Sequence, residues 1–379
     1  MVKLLTAHTL EADELEVALA EILEQLDMDN NCLKNTAGFL FCHPDFISTG
    51  VAQGIAKFLP FEVIGATTVC SLTQGLRDFT GLSVSVITSD TVEFSAASLS
   101  FCHTAEDVAK IYQEAAHGRS GSPSLILPLA AITVGDTLVN ALDALTNSQT
   151  PIFGSIAVGS TSDVSKTVVL HNKTVLNEGL AIIAVWGEIK TEFFISEIKK
   201  NSVQEKPAVI TKSDGNIVHS INNTSVLEYL ESIGISRDQA ENNLQAIPFI
   251  VDMLDGAAPV ARGFFGLNAD GNLIASGSLP ENSTIAAGTL DSDDVIRVTA
   301  NTIENALSCD KSKGILIFPC VSHFWVMEST PFTIIQDKID NVIPYQVFYS
   351  GGEICPVHDS NGKLYNRFHN FTCIACSFE

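Results

Sequence analysis

The sequence predicts an α/β protein, α+β in the sense that its sheets are mixed, with two domains built from repeated strand-helix-strand-hairpin units. Three observations predict this. The chain's 379 residues exceed the roughly 250–300 that one hydrophobic core serves. Short apolar runs recur in three aligned sets along the chain. Between the first and second members of a set, the apolar spacing changes from that of a strand to that of a helix.

The first set is "GFLFCHPD" from Gly38, "SLILPLAA" from Ser124 and "GILIFPCV" from Gly314, each an apolar run with proline near its end. Such runs read as buried strands. The second set follows 23 to 31 residues later: "FEVIGATT" from Phe61, "TPIFGSIA" from Thr150 and "YQVFYSGG" from Tyr345. Each of these strands ends in glycine and hydroxyl residues. Between the two sets, Val51, Ile55, Phe58 and Leu59 share one helical face, as do Leu138, Ala141, Leu142 and Leu145. Ser48 or Thr49 is expected to cap the first helix and Asp136 the second. In the third copy Ile335, Ile339 and Val342 mark a weaker helix.

A third set of strands, "GLSVSVIT" from Gly81, "GLAIIAVW" from Gly179 and "NFTCIACSF" from Asn370, follows polar turns, and "VEFSAASLSF" and "KTEFFISEI" extend the first two copies. Between the second and third copies, two Asp-Gly-Asn turns flanked by β-prone arms predict hairpins. "TSVLEYLESIG" and "DDVIRVTANTIENALS" predict helices, the latter with Ile296, Ala300, Ile303 and Leu307 in register. Asp291, Asp293 and Asp294 read as partners of that helix's macrodipole rather than as calcium ligands. The polar, helix-poor segment from Asn201 to Pro207 gives the expected boundary, with domains at 1–203 and 204–379.

The charge balance excludes some partners. With 21 Lys and Arg against 44 Asp and Glu, the formal charge is −23, which repels nucleic-acid backbones and anionic membrane surfaces. The longest uncharged apolar stretch, "LILPLAAITV", is about half the roughly 20 residues a membrane helix requires. The start lacks a signal-peptide core, and nine scattered cysteines do not resemble a secreted disulfide framework. A soluble cytoplasmic protein with reduced thiols is expected, without membrane insertion or nucleic acid.

These residues resemble the FIST family, named for F-box and intracellular signal transduction proteins, across nearly the whole chain. "YQVFYSGGEICPV" followed by "FHNFTCIACSFE" is similar to the family's Gly-Phe-Tyr-Ser-x-Gly-Glu-Ile ending and its closing His-Asn-x-Thr strand. Tyr349, Ser350, Gly352, Glu353, Ile354, His369, Asn370 and Thr372 carry the match, and Cys320 closes a matching apolar strand. The N-terminal counterpart departs from the pattern: Gly65, Thr67 and Thr68 are followed by Cys70 and Ser71, where glycine and an acid are expected. The resemblance implies an N-terminal and a C-terminal FIST domain and a small-ligand sensor, with amino acids suggested as ligands. It further implies signalling through a separate partner protein, because no segment here reads as an output module.

The chemistry expected of these residues is recognition. Glycine at a strand end lets backbone amides approach a ligand, and Glu353 is suited to an ammonium group. The expected ligand-binding set is Tyr349, Ser350, Gly351, Gly352, Glu353, His369, Asn370, Gly65, Thr67, Thr68, Gly154, Ser155 and Cys320. The plainer alternative is a simple turn at Ser350-Gly-Gly with a solvated Glu353. No catalytic residue or metal site is assigned: Cys373 and Cys376 lie on opposite faces of a strand, which opposes zinc. Two rival classes stand beside the metabolite sensor. One is a haem-based nitric oxide sensor with His323 or His369 as axial ligand, as some relatives of this architecture imply. The other is an enzyme pairing Cys320 with His323, or Glu353 with His369.

Overall fold

The structure, a computed structural model, describes residues 2–76, 78–131, 135–159, 166–196, 203–204, 206–309, 311–327 and 336–379. Three copies of one unit make up most of it. The first comprises β1 (Val2–Thr9), α1 (Leu15–Leu26), α2 (Met28–Asn31), β2 (Asn35–Cys42), α3 (Pro44–Thr49), α4 (Val51–Phe58), β3 (Glu62–Thr67), β4 (Ser71–Thr73) and β5 (Leu82–Ser89). The second runs through β6 (Glu93–Leu99), α5 (Ala105–Ala115), β7 (Leu125–Ala130), α6 (Gly135–Leu145), β8 (Gly154–Ile156), β9 (Val169–His171), β10 (Thr174–Leu176) and β11 (Leu180–Trp186).

The third unit opens with β12 (Thr191–Ser196) and is then interrupted by an insert. The insert contains β13 (Ala208–Asp214), β14 (Ile217–Ile221), β15 (Thr224–Ser225), α7 (Val226–Ser232), α8 (Arg237–Asn242), β16 (Phe249–Asp252), β17 (Val260–Arg262), β18 (Phe264–Leu267), β19 (Leu273–Ala275) and β20 (Thr284–Ala287). The unit resumes with α9 (Ser292–Leu307), β21 (Gly314–Pro319), α10 (Val321–Met327), β22 (Tyr345–Phe348), β23 (Gly352–His358), β24 (Leu364–His369) and β25 (Cys373–Phe378).

The three sheets share one design. Their orders are β1-β5-β2-β3-β9-β10, β6-β11-β7-β8-β23-β24 and β12-β25-β21-β22-β4. In each, the first two strands joined through a helix are parallel, as such a crossover requires, and the returning strand is antiparallel. The next strand in each copy is given away: β4 joins the third sheet, β9 the first and β23 the second. The hairpins β9–β10 and β23–β24 therefore sit in a neighbouring copy's sheet rather than their own. β6 and β12 likewise leave the copies they follow and pair with β11 and β25 of the next. Apolar inner faces of all three sheets, including Phe39, Phe41, Leu127, Leu129, Phe318 and Ile374, share one core.

Glycine and hydroxyl residues stand where the strands cross. Thr68, Ala157 and Ser350 each donate their amide to the carbonyl closing the first strand of the same copy, at Cys42, Ala130 and Pro319. The three crossings then join one another. Val158 N donates to Thr67 O at 3.2 Å, Gly351 N to Ile156 O at 2.8 Å, and Thr68 Oγ1 to Tyr349 O at 2.7 Å. Gly65 packs within a strand pair, because a Cβ there would lie 2.5 Å from Leu40 O; Gly154 is held likewise against Pro128 O.

Several local expectations need correction. Neither Ser48 nor Thr49 caps a helix: their hydroxyls donate back to Pro44 O and Phe46 O inside α3, whose N-cap is His43. Asp136 lies inside the first turn of α6, and its carboxylate receives Arg262 and Ser278 N. Phe58 is 58% exposed because the face of α4 turned to the sheet is set by Val51, Ala52, Ile55 and Ala56. In α9 the buried face runs through Val295, Val298, Thr302, Ile303 and Ala306, so Ile303 is buried as expected while Ile296, Ala300 and Leu307 are only partly covered, and Asp291 caps Asp294 N. Ile339 is buried and Val342 exposed; Ile335 lies outside the described residues, as do Asn201, Ser202 and Glu205 of the boundary segment. Both Asp-Gly-Asn hairpins form, with Gly215 and Gly271 at positive φ.

The crossing ring makes a stability prediction. Thr68→Val removes a buried hydroxyl that supports Tyr349 O and also accepts from Cys70 N, so it should cost about 1–3 kcal/mol in urea denaturation, with Thr68→Ser losing much less.

Candidate functional site

Most of the expected ligand-binding residues converge, but mainly on one another. Gly65, Thr67, Thr68, Gly154, Ser155, Tyr349, Ser350 and Gly352 are buried in the strands and crossings of the ring. Thr67 Oγ1 is engaged by Val168, donating to its O and accepting from its N. A Cβ at Gly352 would collide with the Phe368 ring, so this glycine serves close packing rather than open backbone. Ser155, Glu353 and His369 occupy one row across β8, β23 and β24, opposite one another in register. Their side chains therefore share a face. His369 reaches this row from β24, not from the final strand as expected.

Glu353 is fully buried and internally bound. Its Oε1 accepts from Ser350 Oγ at 2.7 Å and its Oε2 from Thr372 Oγ1 at 2.8 Å. Burial outweighs these hydrogen bonds and raises its pKa to about 8, so the carboxyl is mainly protonated at neutral pH. A neutral acid with both oxygens occupied does not act as the fixed anion expected for an ammonium group. The corresponding crossing positions are Ser71 in the first copy and Val169 in the second, opposite Phe348 and Ala66.

The histidines are neutral too. Burial, reinforced by the nearby Arg262 charge, lowers His369 to about 3, and burial lowers His323 to about 4. The His369 ring leans on the Cys355 backbone; His323 Nε2 contacts Phe371 O at 3.2 Å, while its Nδ1 has no partner among the described residues. Burial and the adjacent Glu353 raise the Cys320 thiol, which keeps it from being poised as a nucleophile.

The open space lies one step outward, at the seam between the third copy and the insert. A cavity of about 80 Å³ is lined there by Cys320, Gly351 and Asn370 from the expected set, and by Ser322, Trp325 and Phe265, which sequence reasoning missed. Among the described residues its lining contains no charged side chain. Among the described residues, buried Ser322 Oγ meets only the weakly hydrogen-bonding Cys320 thiol. Asn370 Oδ1 accepts from Gly263 N and Ser276 Oγ, which turns the amide NH2 into the end available to a ligand. Trp325 and Phe265 are 47% and 59% exposed, so the lining is aromatic where it meets solvent.

One buried cation holds the seam. Arg262, at the end of β17, bonds Asp136 of α6 at 3.1 and 3.2 Å, donates to Phe368 O and lies over the Phe368 ring. Asp136 Oδ2 also accepts from Ser278 N. Both partners are thus paired and hydrogen-bonded, as buried charge requires. The sequence signal was an arginine inside "VARGFFG", an apolar strand context that normally excludes an unpaired charge.

The haem alternative does not fit this geometry. His323 and His369 are enclosed, and the seam cavity is far below the roughly 300–1,000 Å³ of pockets that take drug-sized ligands.

The repeated crossings and the Tyr349–Glu353 turn agree with sequence comparison. The FIST N domain matches residues 36–224 and the FIST C domain residues 225–356. The chain belongs to the FIST family, whose domains are associated with signal transduction and small-ligand sensing. No curated protein matches the sequence. Among solved structures, the cyanuric acid hydrolase from A. caulinodans is similar over 49% of this chain and 71% of its own, at 10% identity and a TM-score of 0.27, a likeness too slight to bear on function. No helix among the described residues is long and apolar enough to cross a membrane.

Glu353 makes the pH dependence testable. Because the folded carboxyl keeps its proton up to about pH 8 while an unfolded one releases it near 4.5, its contribution to stability is full below 4.5 and is lost as pH rises through 8. His323 and His369 act oppositely, but only below their ordinary value of 6.5. Between pH 6.5 and 9 the wild type should therefore lose stability in urea titrations, and Glu353→Gln should flatten that loss.

Proposed function

We propose that the protein is a small-ligand sensor that binds a compact polar metabolite in the seam cavity. The observation supporting this reading is the cavity's convergence of Cys320, Gly351 and Asn370 with the buried Ser322 hydroxyl, whose partner among the described residues is the weakly hydrogen-bonding Cys320 thiol. A buried hydroxyl left with only a weak thiol partner costs up to about 1–3 kcal/mol, which a bound ligand would offset. The volume of about 80 Å³ is several times the roughly 10–15 Å³ a single water needs, and about half the 150 Å³ cavity known to hold benzene. A solute of a few heavy atoms fits, a small amino acid among them.

With no charged side chain among the described lining residues, dipoles of Ser322, Asn370 and the backbone would recognise such a ligand. Signalling would follow from the seam itself: a ligand that bridges Ser322 of α10 and Asn370 beside Gly263 of the insert favours the closed arrangement that Arg262 and Asp136 hold. A separate protein would read that arrangement.

A thermal-shift panel of amino acids and small neutral amides tests this. At least one member should raise the melting temperature, and Ser322→Ala should weaken that ligand roughly 3- to 10-fold, as loss of one hydrogen bond implies. Absence of any binder, or undiminished affinity in both Ser322→Ala and Trp325→Ala, would contradict the seam as the site.

A further inference from the structure

A much larger concavity lies away from the crossing ring, at the starts of β2 and β3. It has a volume of about 930 Å³, within the range of metabolite pockets. Strand exchange builds it. Lys34 precedes β2 and Lys57 ends α4 in the first copy; Arg119 follows α5 in the second. Lys173 stands at the tip of the β9–β10 hairpin that the second copy lends to the first sheet. Four of the chain's 21 basic residues thus line one face of a protein whose formal charge is −23.

The acids on this face are largely occupied. Glu62 accepts from His171 Nε2 and Asn172 Nδ2, both at 2.8 Å, and His171 lowers its pKa. Asn172 also receives Val63 N, which fixes the hairpin and hence the position of Lys173. Glu93 is paired with Arg119. Hydrogen bonds do not cancel the charge of Glu62, so among the described lining residues Asp29 and Glu62 face Lys34, Lys57 and Lys173, an excess of one positive charge. Lys57 has an ordinary reason to be there, in the last turn of α4 where a cation complements the helix dipole. Lys34 and Lys173 have none of that kind. Half-buried Phe61 and Phe94 supply apolar wall beside them.

We infer that this concavity binds a small phosphate-bearing organic anion. Its multiply charged group would lie among Lys34, Lys57 and Lys173, and its apolar part against Phe61 and Phe94. A chain this acidic repels anions at long range, so a singly charged ligand gains little. A phosphate monoester meets three ammonium groups at once, each a compact charge with three donors. The site is independent of the seam, whose described lining residues are uncharged.

Isothermal titration at low ionic strength with AMP, pyrophosphate, citrate and adenosine tests the inference. AMP and pyrophosphate should bind, adenosine should not, and added salt should weaken both. The double variant Lys34→Gln/Lys173→Gln should bind AMP about tenfold or more weakly, the equivalent of about 1.4 kcal/mol. Lys311→Gln, outside this lining, should bind as wild type does. Both lysines are exposed, so the double variant's melting temperature without ligand should be unchanged. Failure of AMP and pyrophosphate to bind, binding of citrate alone, or equal AMP affinity in the double variant would overturn it.

Discussion

Three chain crossings that hydrogen-bond one another in a closed ring are the constraint on which the rest of this structure depends. At each, a strand leaves its own sheet for a neighbour's, and the buried polar backbone at that corner must be satisfied by another copy. Val158 to Thr67, Gly351 to Ile156 and Thr68 Oγ1 to Tyr349 supply those partners. The residue types follow. Small residues let chains touch, as at Gly65 and Gly154, and a threonine hydroxyl completes the link between the first and third copies. No copy can hold its exchanged strand without the others, so the apolar core shared by the three sheets forms only when all are assembled.

The ring is nearly symmetric in its bonding and not in its chemistry. Among the described residues, only the third copy buries an acid at its crossing, and there the insert covers the outside, anchored by Arg262 to Asp136. That contact joins the insert to the second copy and, through Phe368 O, to the strand preceding Asn370. The seam cavity is thus bounded by parts whose relative position one buried ion pair helps fix. Glu353, protonated and tied to Ser350 and Thr372, braces the inner wall of this region. Its contribution is to hold the shape of the site, which accounts for the acid beside two glycines without assigning it a direct contact with ligand.

Much of this was legible in the sequence. The three aligned sets of apolar runs correspond to β2, β7 and β21, then β3, β8 and β22, then β5, β11 and β25, because strands buried on both faces leave continuous hydrophobic runs. The exchange was not legible, since a strand's partner is set by contacts hundreds of residues away, as between Ser71 and Phe348. The same nonlocality hid the role of the glycines: close packing and ligand access call for the same residue. Glu353 read as an anion because residue type carries charge but not burial. Cys320, Gly351 and Asn370, which line the seam cavity, stood in the expected set, whereas Ser322, Trp325 and Arg262 carry no periodic signal.

Hydrogen exchange at the crossings tests the ring most directly. Peptides covering Val158, Tyr349 and Gly351 should exchange as slowly as the central strands β2, β7 and β21, because opening any one crossing requires releasing the strand it delivers to another sheet. Rapid exchange there, with those central strands still protected, would contradict the account.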